Sequence, residues 1–268
     1  MKILELLYLG KEVPKPLGLF HILSIVIVIL VSLLLCIFLK NINDKKFRKV
    51  CLIFWIIFLF IETYKQIFMA SSEVVDGQIV WGYKWYLFPF QFCSSPFFVL
   101  PIIIFAKEKS TLRKMAIPFM MTFSLFGGLM SYVFPSGVFA SRVLINVQTM
   151  LHHGMQIILG VYFMVYFRKS LSWKSFFKGT ILLCIFILIA LVLDEIGYYT
   201  FVPENQVFNM FFISRHYECT MPILGEIYKK VPYLLFIAIY VIGFYLVGAI
   251  VYFIEKLINR IIFKIKMI

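Results

Sequence analysis

The sequence predicts an all-α polytopic membrane helix bundle of about seven transmembrane helices, with an outside N-terminus and a cytoplasmic C-terminus. Three observations predict it. Hydrophobic residues make up 62% of the chain and the mean hydropathy is +0.96, well beyond the roughly 45–50% apolar content of soluble domains. The apolar residues fall in runs of about 20, the length a helix needs to cross a hydrocarbon core of about 30 Å. Lys and Arg gather in alternate connections between those runs, the asymmetry that sets membrane orientation. The formal net charge of +13 is thereby divided into short clusters. No continuous basic face remains for a nucleic-acid backbone, which excludes nucleic acid as a partner.

The spans read, in order, as roughly 17–39, 50–69, 85–106, 115–134, 143–167, 178–202 and 231–254. The first lacks a short apolar core followed by a small-residue cleavage site, so it reads as a retained helix rather than a signal peptide. The second carries Glu62 and Lys65. The third is interrupted by Pro89, Pro96 and Pro101. Gly127 and Gly128 in the fourth suggest close packing, and Pro135 an outer turn. The fifth holds His152 and His153, the sixth Asp194 and Glu195. Residues 1–268 read as a single integral membrane domain without a soluble domain, long linker, low-complexity stretch or evident repeat.

Orientation follows from the connections. Lys40, Lys45, Lys46, Arg48 and Lys49 fill the first, Lys107, Lys109, Arg113 and Lys114 the third, and Arg168, Lys169, Lys174 and Lys178 the fifth. Lys256, Arg260, Lys264 and Lys266 close the chain, whereas the second and fourth connections offer only Lys84 and Arg142. Lys2, Lys11 and Lys15 fall on the expected outer side, beside Glu5 and Glu12, and weaken the contrast there. The cysteines form no framework: Cys36, Cys51 and Cys184 read as packing residues, and Cys219 as an exposed residue of the last outer connection.

Ionisable side chains inside membrane spans cost about 2.5–3.5 kcal/mol each on insertion scales and mark function by default. Counting residues inward from the outer ends places Cys93, His152, His153, Asp194, Glu195, Glu62 and Lys65 mostly at one level, roughly 10–15 Å deep at 1.5 Å per residue. Helical spacing groups them further. Glu62 reaches Lys65 and Gln66; Asn146, Thr149, His153 and Gln156 form one stripe, with Gln148 and His152 beside it; Asp194 pairs in register with Tyr198, and Glu195 with Tyr199. Such stripes face a bundle interior or a wet cavity, or else tie helices together by hydrogen bonds.

Pro96 cannot donate to the Phe92 carbonyl, which opens a helix running through Cys93. An interrupted helix at membrane depth lines a cavity, and its free N–H groups suit an oxyanion. A thiol becomes nucleophilic when an imidazole stabilises its thiolate. A carboxylate such as Asp194 or Glu195 would orient that imidazole. Cys93 with His152 or His153 therefore suits acyl transfer through a thioester, with no cofactor and no metal. Aromatic side chains would hold the acyl chain, and Glu62, Lys65, Arg142 or Arg215 the head group. Gln91, Gln156 and Tyr198 complete the expected polar lining. Two other readings compete. One is a transporter or solute-binding protein using Glu62, Lys65, Asp194 and Glu195. The other is a zinc hydrolase, disfavoured because adjacent histidines point about 100° apart on a helix.

Several blocks carry a family resemblance: Pro89-Phe-Gln-Phe-Cys-Ser94 with Leu-Pro101, Leu125-Phe-Gly-Gly128 with Phe134-Pro135, Leu151-His-His153, Asn209-Met-Phe-Phe-Ile213, and Leu224-Gly225. Through them the chain resembles bacterial integral membrane proteins of the YwaF type, related to the animal transmembrane protein 164 group. The blocks extend over about two thirds of the chain in the family's order. Phe211 and the Asp194-Glu-Ile-Gly-Tyr-Tyr199 segment depart from the usual pattern. The resemblance implies a bacterial plasma-membrane lipid acyltransferase that carries its acyl group on Cys93, with a histidine at 152 or 153. Its partners would be the lipid bilayer and a membrane phospholipid or other acyl-bearing lipid. Nothing in the sequence specifies an oligomeric state.

Overall fold

In the computed structural model, residues 12–75 and 78–265 are described; the sequence readings at Lys2, Glu5, Lys11 and Lys266 lie outside them. The first two helices form an outer pair. α1 (Leu19–Phe38) begins after Gly18, turns most of its Leu and Ile side chains outward and buries His21, Val28 and Ser32. Its 20 residues span about 30 Å. α2 (Asp44–Lys65) is capped by Asn43, whose side chain accepts the Lys46 N–H at 3.0 Å, satisfying one orphan donor of the first turn. A π-helical turn, Gln66–Ala70, extends it. A short antiparallel hairpin follows, β1 (Ser72–Val75) with β2 (Gln78–Trp81), Ser72 opposite Trp81.

The third span departs most from expectation. Residues 85–94 hold two isolated 3-10 turns, Trp85–Leu87 and Phe92–Ser94, and the α-helix α3 covers only Ser95–Phe105. Pro96 does not kink a helix through Cys93; it stands in the first turn of α3, where a missing N–H costs nothing. The Phe92 carbonyl accepts the Ser95 N–H, so it is not the carbonyl that proline frees.

α4 (Thr111–Phe119) passes through a π turn, Met120–Ser124, into α5 (Leu125–Val133). Pro118 explains the wide turn, since it removes one intrahelical bond, and the Thr122 hydroxyl donates to the Pro118 carbonyl at 2.8 Å. α6 (Val143–Tyr166) is the most enclosed helix, packed against α1, α2 and α5. α7 (Trp173–Thr200) starts at a capping box of Ser172 and Ser175. Residues 203–223 form an irregular segment with a 3-10 turn at Met210–Phe212. α8 (Leu224–Tyr228) and the long α9 (Tyr233–Ile265) close the fold.

Five of these helical stretches are long and apolar enough to cross a membrane: Leu19–Phe38, Asp44–Ala70, Thr111–Val133, Trp173–Thr200 and Tyr233–Arg260. The two other expected spans fall short for different reasons. α3 has 11 residues, and α6 carries Asn146, Gln148, His152, His153 and Gln156 on its buried surface. That polarity is affordable only because α6 sits inside the bundle.

At the basic end, charges assigned to connections prove to be helix ties. Arg113, 2% exposed, pairs with Asp44, which also accepts the Arg48 guanidinium at 2.7 Å. Arg48 caps α3 through the Ile104 and Ala106 carbonyls at 2.6 and 2.7 Å. Asp44 thus joins α2, α3 and α4. Asp44→Ala leaves Arg113 as a buried unpaired cation and is expected to cost about 3 kcal/mol, read as a lower unfolding midpoint in detergent; an unchanged midpoint would show that the tie contributes nothing.

Candidate functional site

The polar centre is assembled where α6 meets the interrupted segment before α3. Pro96 stands three residues after Cys93 and has no N–H, so the Cys93 carbonyl lacks the i+3 donor of a tight turn. Two side chains of α6 take that place. His152 Nε2 lies 2.9 Å from the Cys93 carbonyl oxygen, and the Gln156 amide donates to the same oxygen. His153 turns to Gln156, with Nδ1 3.3 Å from Oε1. His152, His153 and Gln156 are all buried, and Phe58 of α2 packs edge-on to the His152 ring at 5.0 Å.

These contacts assign protons. A carbonyl oxygen only accepts, so in a neutral His152 ring Nε2 carries the proton and Nδ1 the lone pair. That Nδ1 is buried and has no hydrogen-bond partner. The side-chain oxygen of Gln156 likewise makes His153 Nδ1 a donor. Neither imidazole hydrogen-bonds the Cys93 thiol, which is half-buried and neighboured by the Ser94 side chain.

Glu62 and Lys65 lie beside this centre. Glu62 is 5% exposed; its Oε1 accepts Lys65 and the Gln66 amide, each at 2.7 Å, and its Oε2 has no partner. Gln66 also donates to the Leu87 carbonyl at 2.9 Å and accepts the Tyr83 hydroxyl at 2.7 Å, tying α2 to the irregular segment. Glu62 stands one helical turn beyond Phe58, the residue packed on the His152 ring.

The remaining expected lining residues serve the 203–223 segment. Gln91 clamps its backbone, donating to the Asn209 carbonyl and accepting the Phe211 N–H, both at 3.0 Å. Asp194 Oδ1 accepts the Met210 N–H at 2.6 Å. Tyr240 and Tyr233 donate to the Phe211 and Ile213 carbonyls at 3.0 and 2.8 Å. This network holds Phe211 and Phe212 at φ 56° and 58°, a backbone shape that side chains disfavour. Glu195 does meet an imidazole, that of His216 at 3.1 Å, and also pairs with Arg215 at 2.7 Å. Tyr198 stacks on His216 with ring centroids 3.7 Å apart. Asp194 and Glu195 therefore pin the segment and do not orient His152 or His153.

Cys219, expected to be exposed, is 4% exposed, because residues 203–223 fold back on the bundle and Gly225 packs against its carbonyl. Burial raises its thiol pKa, which makes it unreactive. Sequence reading missed His216, whose only signal was an imidazole near a span end. It also missed Glu255, a 1% exposed carboxylate with no partner for either oxygen, one residue beyond the predicted end of the last span. Among the described residues no three His, Cys, Asp or Glu are grouped to hold a metal ion. An apolar cavity of about 350 Å³ lies between α1 and α6, lined by Val28, Met150, Gly154 and Ile158. It occupies the face of α6 turned away from His152 and Gln156.

Fold and site together define a class: a polytopic membrane helix bundle with a buried polar centre built around an interrupted helix. The chain belongs to the TMEM164 family, whose profile matches residues 16–254. No curated protein and no solved structure matches it.

Proposed function

We propose that this chain is a membrane-embedded acyltransferase of the plasma membrane of a bacterium, passing a fatty acyl group from a phospholipid to a lysolipid or lipoprotein acceptor through a thioester on Cys93. The observation that carries the reading is the His152 ring. It contacts the Cys93 residue at 2.9 Å through Nε2 and keeps a buried, partnerless lone pair at Nδ1. A buried acceptor without a partner is costly to maintain in a purely structural role, whereas a general base requires one.

In the first half-reaction the thiol proton passes to His152 Nδ1 as sulfur attacks the ester carbonyl of the donor lipid. The C–O bond breaks, and the same proton leaves with the lysolipid oxygen. In the second, the acceptor hydroxyl or amine gives its proton to His152, attacks the thioester carbonyl and returns Cys93 to its thiol, with the proton moving to sulfur. Thiol and imidazole share no hydrogen bond in the resting arrangement, and catalytic contacts of this kind tighten as substrate binds. The Glu62–Lys65 pair supplies fixed charge beside the reacting carbonyl, and Lys65 favours the developing anion.

The bundle in this reading is a single membrane domain of seven spans, α3 and α6 included, with the N-terminus outside. The alternation of basic connections supports that orientation. Reconstituted protein incubated with a phospholipid carrying a labelled acyl chain should acquire a hydroxylamine-sensitive label on the Cys93 peptide. Cys93→Ser should lose the hydroxylamine-sensitive label. Full transfer activity in Cys93→Ser would end the proposal.

A further inference from the structure

At the end of the bundle that carries the basic connections, a cavity of about 340 Å³ opens between α4, the turn before α7 and the first turns of α7. That volume falls within the roughly 300–1,000 Å³ of ligand pockets. Lys114, Lys174 and Lys178 line it, and no Asp or Glu does. Among the described residues these three lysines form no ion pair, in contrast to Arg48 and Arg113 on the neighbouring tie to Asp44. Lys114 and Lys174 are exposed and Lys178 half-buried, and three like charges around one concavity give it a positive potential that favours an anion.

The rest of the lining narrows the anion. Ser170 and Ser172 add hydroxyls to the lining, and the 28-residue α7 begins beside them with its positive end, its Ser175 N–H already taken by the Ser172 side chain. Hydroxyls and ammonium groups together suit the oxygens of a phosphate. The floor is different in character: Ile117, Met121, Phe167 and Leu171 are apolar. A small phosphate would leave that floor wet, whereas a phospholipid would lay its glycerol and upper acyl carbons on it. Below the cavity the helices are locked together, since a Cβ at Gly179 would lie 2.9 Å from the Phe119 nitrogen. The cavity thus sits beside close packing of α4 on α7.

We infer that this cavity binds the phosphate of an anionic phospholipid headgroup, held by Lys114, Lys174 and Lys178 at the basic end of the bundle. The site is separate from Cys93 and independent of the acyltransferase reading.

The test uses full-length protein in non-ionic detergent, titrated with short-chain dihexanoyl phosphatidylglycerol, with dihexanoyl phosphatidylcholine and inorganic phosphate as comparison probes. Phosphatidylglycerol should bind saturably, and more tightly than phosphatidylcholine. Each lysine near an anionic headgroup is worth about five-fold in affinity, so K114Q/K174Q/K178Q should weaken binding on the order of a hundred-fold. K45Q/K46Q/K49Q removes the same charge from the first turns of α2 and should leave affinity unchanged. K174Q alone, at an exposed position, should show the five-fold loss should the triple variant fold poorly. Equal weakening by both triple variants would overturn the site in favour of diffuse surface charge. Equal binding of phosphatidylcholine would overturn the requirement for an anion. Displacement by inorganic phosphate at matched concentration would overturn the lipid and assign the cavity to a soluble phosphate compound.

Discussion

His152→Gln is expected to abolish acyl transfer, by roughly 10²–10⁴-fold, while leaving the fold intact. Glutamine places an amide N–H where His152 Nε2 now faces the Cys93 carbonyl, so the structural hydrogen bond is retained. What it removes is the lone pair at Nδ1, and loss of a positioned general base accounts for that range. The variant therefore separates two roles that alanine would confound. If His152 only ties α6 to the segment before α3, His152→Gln keeps its activity. If it moves the proton, the variant folds, binds lipid and fails to form the thioester. His153→Gln is the paired control. Its ring contacts Gln156 rather than Cys93, so the expected loss is much smaller. Turnover of both variants, with unfolding midpoints measured on the same preparations, decides between the roles. Comparable losses in the two would remove His152 from its assigned place.

Gly128→Val carries the second large effect. A Cβ at Gly128 would lie 2.8 Å from the His153 carbonyl oxygen, 2.9 Å from Gln156 Cβ and 3.0 Å from Ile157 Cγ1. The first of these is backbone of α6 and cannot swing aside. Overpacking of this kind costs about 1–3 kcal/mol, and here the displacement is delivered to the residues that hold the Cys93 carbonyl. Activity should fall further than stability, because a positional error of about 1 Å at a reacting centre costs on the order of a hundred-fold. Gly243→Ala is the contrast: its Cβ meets nothing within 4 Å, and replacing a helix-interior glycine gains roughly 0.5–1 kcal/mol. Melting of the two variants should move in opposite directions, and turnover should fall only in Gly128→Val. An active, stable Gly128→Val protein would show that α5 and α6 are free to separate.

Gly128 also shows how much could be read in residue order. The pair Gly127-Gly128 signals close packing in any apolar run, yet which helix comes close depends on the packed bundle. The same limit applies to depth. Counting residues from the outer ends puts Asp194 at the level of His152, but a count along a helix carries no rotation about its axis. Asp194 turns to the Met210 N–H and His152 to the Cys93 carbonyl. Pro96 was legible as a helix breaker. It was misplaced by one carbonyl, because proline at the start of a helix and proline within one have the same spelling and differ only in where the preceding residues go. The irregular 203–223 segment was the least legible part, since its conformation is dictated by side chains outside it, Gln91, Asp194, Tyr233 and Tyr240.

The membrane class, the basic ends and the unusual thiol are local properties of the chain. Hydropathy, charge and proline act within a few residues, and their consequences follow whatever the helices pack against. The polar centre is another matter. The partnerless Nδ1 of His152, the pinning of the 203–223 segment and the lysine-lined cavity all arise between residues far apart in sequence. Each depends on how helices rotate and approach once water and lipid have been excluded between them, and on which unmet backbone groups then need a partner. The interrupted segment at Cys93 was written in its prolines; the two α6 side chains that meet its carbonyl were selected by packing.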